Sequence, residues 1–106
     1  MSRRALTEAE LADVLASHPA WRLQSGHLVR EASVAFPVAS AWLVKHAPEF
    51  ERRQHHPVAT LSYEFLRVEV YTHDRATLTT WDRELMEFID DHWLVEPPTL
   101  HSGDGP

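Results

Sequence analysis

The pattern of apolar and polar positions in the first third of the chain predicts a helix followed by a strand pair. Residues 7–17, TEAELADVLAS, open with Thr7 and Glu10 at the spacing of a capping box and continue with apolar residues at helical intervals. Residues 21–36 contain Ser25-Gly26, a dipeptide typical of a tight turn, and are predicted to form two strands around it, although the alternation of polarity in the second strand is imperfect.

The middle of the chain repeats this order. Residues 37–53 have a helical pattern, but Pro48 lies inside it. Proline removes a backbone hydrogen bond and clashes with the preceding turn, so we expect a kink or a break beginning near His46. The predicted core positions of this helix are Val38, Ala41, Trp42, Ala47 and Phe50.

Two further strands and a last helix follow. Residues 59–63 form a short strand, and residues 66–72 alternate, with Val68 and Val70 on one side. The last helix has Thr79 as its predicted N-cap and Asp82 as the partner in a second capping box. Its predicted apolar face is Trp81, Leu85, Phe88, Ile89 and Trp93.

The predicted order is therefore αββαββα. Hairpins that alternate with helices favour an antiparallel sheet, so we expect an α+β domain with a four-stranded antiparallel sheet and three helices on one face. The predicted domain spans residues 1–95. Residues 96–106 contain prolines and glycines with little to bury, and are predicted to be a disordered tail.

The composition of the chain limits the kinds of function that it can have. The chain has 106 residues, which suits one domain, and its net charge of −6 argues against a nucleic-acid surface. It contains no cysteine, no pattern of a signal peptide and no stretch long enough to span a membrane. We therefore expect a cytoplasmic protein that binds neither nucleic acid nor membranes.

The chemistry-bearing feature is a set of three histidines, His55, His56 and His73. The first two end the middle helix and the third ends the last strand, so we expect all three at one end of the sheet. The other five histidines are expected on the surface. Acid–base catalysis is favoured over a zinc site, because adjacent histidines point apart and are poorly spaced for chelation.

The spacing of these residues is specific. Glu51, His55-His56-Pro57, Tyr63, His73 and Asp82 resemble the signature of the pterin-4a-carbinolamine dehydratases at every interval. The segment LTTWDRELMEFID and the early Trp21 are similar to the same family, and the resemblance covers roughly residues 6–93.

The resemblance implies a hydro-lyase of tetrahydrobiopterin metabolism. Such an enzyme expels water from 4a-hydroxytetrahydropterin to give quinonoid dihydropterin, and so recycles the cofactor of aromatic amino acid hydroxylases. Pterin is then the substrate, and neither a metal nor a redox cofactor is expected. The family also implies a homodimer or homotetramer, and a hydroxylase in the same pathway as a possible partner.

By the same resemblance, His55 and His73 are the acid–base pair and His56 holds the pterin. Glu51, one helical turn before His55, is expected to stabilise the His55 imidazolium or contact the ring. Groups around Gln54 are expected to line the site, together with groups in the segment that runs from Tyr71 through Thr72 to Asp74. Asp82 belongs to the signature, but its capping box is a sufficient structural reason for it.

The chain departs from the family pattern in two loops. Val58-Ala59 replaces an acidic residue and a tryptophan, and Arg75–Thr77 lacks the usual glycine, so a changed substrate or weaker binding is expected to follow. The alternative function is a non-catalytic binding module that assists assembly or dimerisation of a protein partner. Relatives that act as assembly chaperones lack the His-His-Pro that this chain keeps.

Overall fold

The structure, a computed structural model, describes residues 4–73 and 77–94. Its elements are α1 (Glu8–Ser17), β1 (Arg22–Gln24), β2 (His27–Ala32), α2 (Phe36–Arg53), β3 (Val58–Ser62), β4 (Phe65–Val70) and α3 (Thr80–Asp91). The predicted order αββαββα is confirmed. The predicted tail, residues 96–106, lies outside the described residues.

The four strands form one antiparallel sheet in the order β1-β2-β4-β3, with the three helices on one face. The turn between β1 and β2 places Ser25 at φ 52° and Gly26 at φ 80°. Two successive positive φ values are typical of a type I′ turn, whose twist matches that of the strands it joins. The predicted hairpin at Ser25-Gly26 is therefore confirmed.

The core lies between the sheet and the helices. Leu28 pairs with Val70 and Arg30 pairs with Val68 across β2 and β4, so these side chains share the helix-covered face. Leu66, Val68 and Val70 are fully buried there. From the helices, the core takes in Val14, Ala39, Trp42, Phe50, Leu85, Met86 and Ile89.

The middle helix differs from the prediction. It runs unbroken through Pro48 to Arg53. Proline removes the bond to the carbonyl four residues earlier, and that residue, Val44, is 74% exposed, so water can satisfy the freed carbonyl. The expected break near His46 is therefore wrong.

The buried face of α2 also differs from the predicted one. Trp42 and Phe50 are buried as expected, whereas Val38, Ala41 and Ala47 are exposed. Ala39 and His46 take their place in the buried stripe. A small alanine does not identify a buried face by itself, and the stripe is fixed by the two large aromatic residues.

Both predicted capping boxes are present, Thr7 with Glu10 and Thr79 with Asp82. No helix in the described part of the chain is long and apolar enough to cross a membrane.

Candidate active site

His55 is fixed by the way α2 ends. Gln54, the C-cap, adopts a left-handed conformation with φ 55°, and the backbone N–H of His55 donates to the carbonyl of Phe50. This turn directs the chain from the helix towards β3. The His55 side chain lies inside the domain, with 7% of the residue exposed.

The partner of His55 is the carboxylate of Asp82. The distance from His55 Nε2 to Asp82 Oδ1 is 2.8 Å, and Asp82 is fully buried. The second oxygen, Oδ2, accepts bonds from the Thr79 backbone N–H at 2.7 Å and from the Thr72 hydroxyl at 2.8 Å. Because a carboxylate that takes up these donors acts as an acceptor, Nε2 of His55 carries the proton in this contact.

This arrangement leaves Nδ1 as the second nitrogen of the His55 ring. Within residues 4–73 and 77–94 no group forms a hydrogen bond to it. A neutral imidazole that donates from one nitrogen accepts at the other. His55 can therefore take up or release a proton at Nδ1 while Asp82 holds the ring.

A cavity of about 270 Å³ lies beside His55. The ring of Trp81 stands 6.0 Å from that of His55, between centroids, and Leu85 contributes an apolar wall. Two cations, Arg52 and Arg53, and one carboxylate, Glu84, complete the lining. A pocket that combines an apolar wall with a few polar groups is typical of a site for a small molecule.

The two arginines of this cavity share one carboxylate. Both bond to Glu49 of the same helix, Arg53 at 2.7 Å. The hydrogen bond from Arg52 is the main cause that lowers the pKa of Glu49 below its usual value. Their positive charge is thus partly balanced within α2.

His56, unlike His55, lies on the surface. Its Nε2 is 2.8 Å from Glu51 Oε1, and more than half of each side chain is exposed. The carboxylate that contacts His55 is therefore Asp82, whereas Glu51 contacts His56. The expectation that Glu51 would stabilise the His55 imidazolium is corrected, because Glu51 and His56 project outward from the helix end.

The third histidine lies in the segment after β4. His73 is exposed, and its ring lies 4.5 Å from that of Tyr71, which stacks in parallel on His27 at 3.7 Å. Tyr71 itself is half-buried and packs against the core of the domain, and Tyr71 and His73 lie on either side of Thr72 in sequence. Thr72, between them in sequence, points inward to Asp82 because neighbouring residues of an extended chain face opposite ways. Asp74 lies outside the described residues.

The structure thus links His55 to the strand end at Thr72 through Asp82, and it brings Glu51 to His56. The cavity beside His55 is not lined by His56 or His73. A pocket surrounded by all three histidines remains a prediction. Among the described residues, no group of three or more His, Asp and Glu side chains could hold a metal ion.

Sequence reasoning missed three features of this region. Asp82 was assigned to its capping box alone, although its place in the family signature was the available signal for a second role. Trp81 and Glu84 were not predicted to line a cavity. Their spacing of three residues nevertheless puts them on one face of α3, together with Leu85. His46 was expected on the surface and is buried.

Comparison with known proteins agrees with this geometry. The profile of the family described as "Pterin 4 alpha carbinolamine dehydratase" matches residues 4–92. The chain belongs to this family. The matched range includes the whole dehydratase signature, from Glu51 to Asp82.

Individual dehydratase relatives are similar over most of their length. The chain is 38% identical over 87 residues to "Putative pterin-4-alpha-carbinolamine dehydratase" of Chloroflexus aurantiacus, covering 81% of this chain and 94% of that protein. It is 34% identical over 86 residues to a protein of the same name from Acidobacterium capsulatum, covering 80% and 94%.

The same fold occurs in a crystal structure titled transcriptional coactivator/pterin dehydratase, from Brucella melitensis. It superposes with a TM-score of 0.75 at 22% identity, covering 84% of this chain and 98% of that one. This likeness shows the fold.

Proposed function

We propose that the protein dehydrates 4a-hydroxytetrahydropterin to quinonoid dihydropterin. The observation that carries the proposal is the contact of His55 Nε2 with the buried carboxylate of Asp82, beside a cavity and within a dehydratase-family chain. The product would return to the cycle of an aromatic amino acid hydroxylase, which makes such a hydroxylase a pathway partner.

The reaction needs an acid and a base. The carbon–oxygen bond at the ring carbon breaks, the hydroxyl leaves with an added proton as water, and a base takes the proton from the neighbouring ring nitrogen. The lone pair of that nitrogen supplies the electrons of the new double bond. Two imidazoles, one protonated and one neutral, supply both proton transfers at neutral pH.

His55 and His73 take these two parts in the proposal. Asp82 accepts from Nε2 of His55, so the proton that moves is the one at Nδ1. His56, held by Glu51, lies outside the buried network and serves to hold the pterin. Gln54, Tyr71, Thr72 and Asp74 are proposed to line the substrate site, with Thr72 acting through Asp82.

No metal or redox cofactor takes part in the proposed reaction. Elemental analysis of the purified protein is expected to give less than stoichiometric zinc, and a chelator is expected to leave turnover unchanged. Stoichiometric metal together with activity lost to the chelator would contradict the acid–base proposal.

The protein is proposed to act in the cytoplasm as a homodimer or homotetramer. β1 and β3 are the outer strands of the sheet, and an unpaired strand edge can pair with another chain. Large apolar side chains are also exposed; Phe36 is 48% and Tyr63 84% accessible. Tyr71, Trp81 and Trp93 are half-buried in the single chain.

The deciding experiment is turnover of freshly generated 4a-hydroxytetrahydropterin by the wild type, by His55→Ala and by His92→Ala. His92 is an exposed histidine after α3 and serves as the matched control. We expect turnover by the wild type and the control, and its loss in His55→Ala. A folded wild type without turnover would instead favour the alternative, a binding module that assists a protein partner.

A further inference from the structure

We infer that Trp81 and Glu84 recognise the pterin ring in the cavity beside His55: Trp81 packs on the face of the ring, and Glu84 accepts hydrogen bonds from its 2-amino edge. This inference rests on the proposed function and names the residues that would select its substrate.

The cavity beside His55 has an apolar wall. A pterin is a flat bicyclic ring with two apolar faces, so its site needs an apolar surface of similar extent. Trp81 and Leu85 provide this surface, and the indole stands next to the imidazole of His55. A ring stacked on Trp81 would place its reacting edge towards the catalytic histidine.

A pterin ring also has a polar edge. The 2-amino group and the adjacent ring N–H of a pterin are two parallel donors, which match the two oxygens of a carboxylate. Glu84 is an exposed carboxylate on the cavity wall. Within the described residues no hydrogen bond or ion pair engages it.

The cavity is lined by two further charged side chains, those of Arg52 and Arg53. Arg52 and Arg53 are both bonded to Glu49. Two donor nitrogens of Arg52 and one of Arg53 are therefore engaged by Glu49, whereas Glu84 keeps both oxygens for a ligand. Trp81 and Glu84 are three residues apart on α3 and so project from the same side of the helix.

The test compares two stable ligands by calorimetry. Pterin carries the 2-amino group, and lumazine carries an oxo group in its place, which would face the Glu84 carboxylate with a lone pair. We expect the wild type to bind pterin at least ~10-fold more tightly than lumazine, because a site that accepts hydrogen bonds from an amino group rejects an analogue that lacks these donors. In Glu84→Gln this preference should fall below about threefold.

Trp81 is tested with two substitutions. Trp81→Leu should weaken pterin binding by about 10-fold, the order expected for a lost aromatic stack. Trp81→Phe should restore most of it. Both Trp81→Leu and Glu84→Gln should raise KM more than they lower kcat, because neither residue touches the reacting atoms. Glu87→Gln, on the same helix but outside the cavity wall, is the matched control.

The outcomes separate the two claims. A wild type that turns over 4a-hydroxytetrahydropterin, with Trp81→Leu and Glu84→Gln unchanged in pterin affinity and in preference over lumazine, would overturn the recognition role and leave the dehydratase proposal standing. A folded wild type that neither binds pterin nor turns over 4a-hydroxytetrahydropterin would overturn both.

Discussion

His55 and Asp82 form a buried hydrogen bond of 2.8 Å that joins the end of α2 to the first turn of α3. Asp82 uses its two oxygens for different purposes: Oδ1 holds the imidazole, and Oδ2 caps the helix at Thr79. One residue therefore serves both the fold and the proposed chemistry. The two roles can be separated by substitution.

Asp82→Asn should reduce kcat by about 10²-fold or more, because an amide can donate to Nε2 and favour the wrong tautomer of His55. Asparagine still provides an oxygen for the helix cap, so the loss of stability should be smaller than the loss of activity. The measurements are steady-state kinetics and urea unfolding. Thr79→Ala, which weakens the capping box and keeps the carboxylate, is the control. Activity and stability falling in proportion would mean that Asp82 is structural only.

The histidines should divide the work. His55→Ala and His73→Ala should each lower kcat by ~10²–10⁴-fold, the usual effect of a lost acid or base. His56→Ala should chiefly raise KM, which is the sign of lost uniform binding. Glu51→Gln should resemble His56→Ala in weaker form, because Glu51 holds that ring. An abolished kcat in His56→Ala with an intact kcat in His55→Ala would reverse the assignment.

The fold was predictable because strong local signals agreed. The two capping boxes, the Ser25-Gly26 turn and the alternation around Val68 and Val70 each correspond to an element in the structure. The buried face of α2 was less predictable, since small alanines weaken its pattern. The break predicted at Pro48 was wrong because the tolerance of a helix for proline depends on whether the freed carbonyl reaches water.

The site was only partly predictable. Spacing identified the histidines, but it could not show which carboxylate each one meets. Glu51 lies one turn from His55 in sequence, yet Asp82, 27 residues away, is the partner that the packing of α3 on the sheet brings to it. Contacts of this kind depend on tertiary structure and leave no local pattern.

Asp90 lies on α3 and bonds both to the segment that follows α1 and to strand β2. Its carboxylate accepts from His18 and Trp21, each at 2.9 Å, and from Arg30. Burial raises the pKa of Asp90, but the bonds from His18 and Trp21 and the charge of Arg30 outweigh it and hold the pKa below its usual value. Asp90 therefore contributes stability above its unfolded pKa of 3.8, and this is lost as the pH falls further.

Asp90→Asn should lower the free energy of unfolding at neutral pH by about 1–3 kcal/mol, since Arg30 loses its charged acceptor. Urea unfolding at pH 7 and near pH 3 measures it, and the difference from the wild type should shrink at the lower pH. Asp91→Asn, at the exposed neighbouring position, should have little effect. Equal stability of the Asp90 variant and the wild type at neutral pH would contradict this role.

Assembly should depend on protein concentration. Light scattering is expected to give a dimer or tetramer that dissociates on dilution, because the outer strands and the exposed Tyr63 are available for pairing. Tyr63→Lys should weaken the oligomer, whereas Val44→Lys, at an exposed helix position away from the sheet, should not. A monomer at every concentration would refute the proposed assembly.

His46 should make the stability of the protein depend on pH. It is 9% exposed, packed against Trp42 and Phe88, and its ring lies 5.4 Å from that of His92. Burial, followed by the nearby charges of His92 and Lys45, lowers its pKa from the usual 6.5. The unfolded chain therefore binds more protons than the folded one as the pH falls below that value.

This difference in proton binding determines how the free energy of unfolding changes with pH. The free energy of unfolding should be at its full value above pH 6.5 and should fall on acidification, until the pH drops below the lowered pKa of the folded state. His46→Phe keeps the aromatic packing and removes the titration, so its stability should vary less between about pH 8 and pH 5. Urea unfolding across this range measures the effect, with His56→Phe, an exposed position, as the control. A wild type and a His46→Phe variant with parallel pH profiles would show that protonation of His46 is not resisted by the fold.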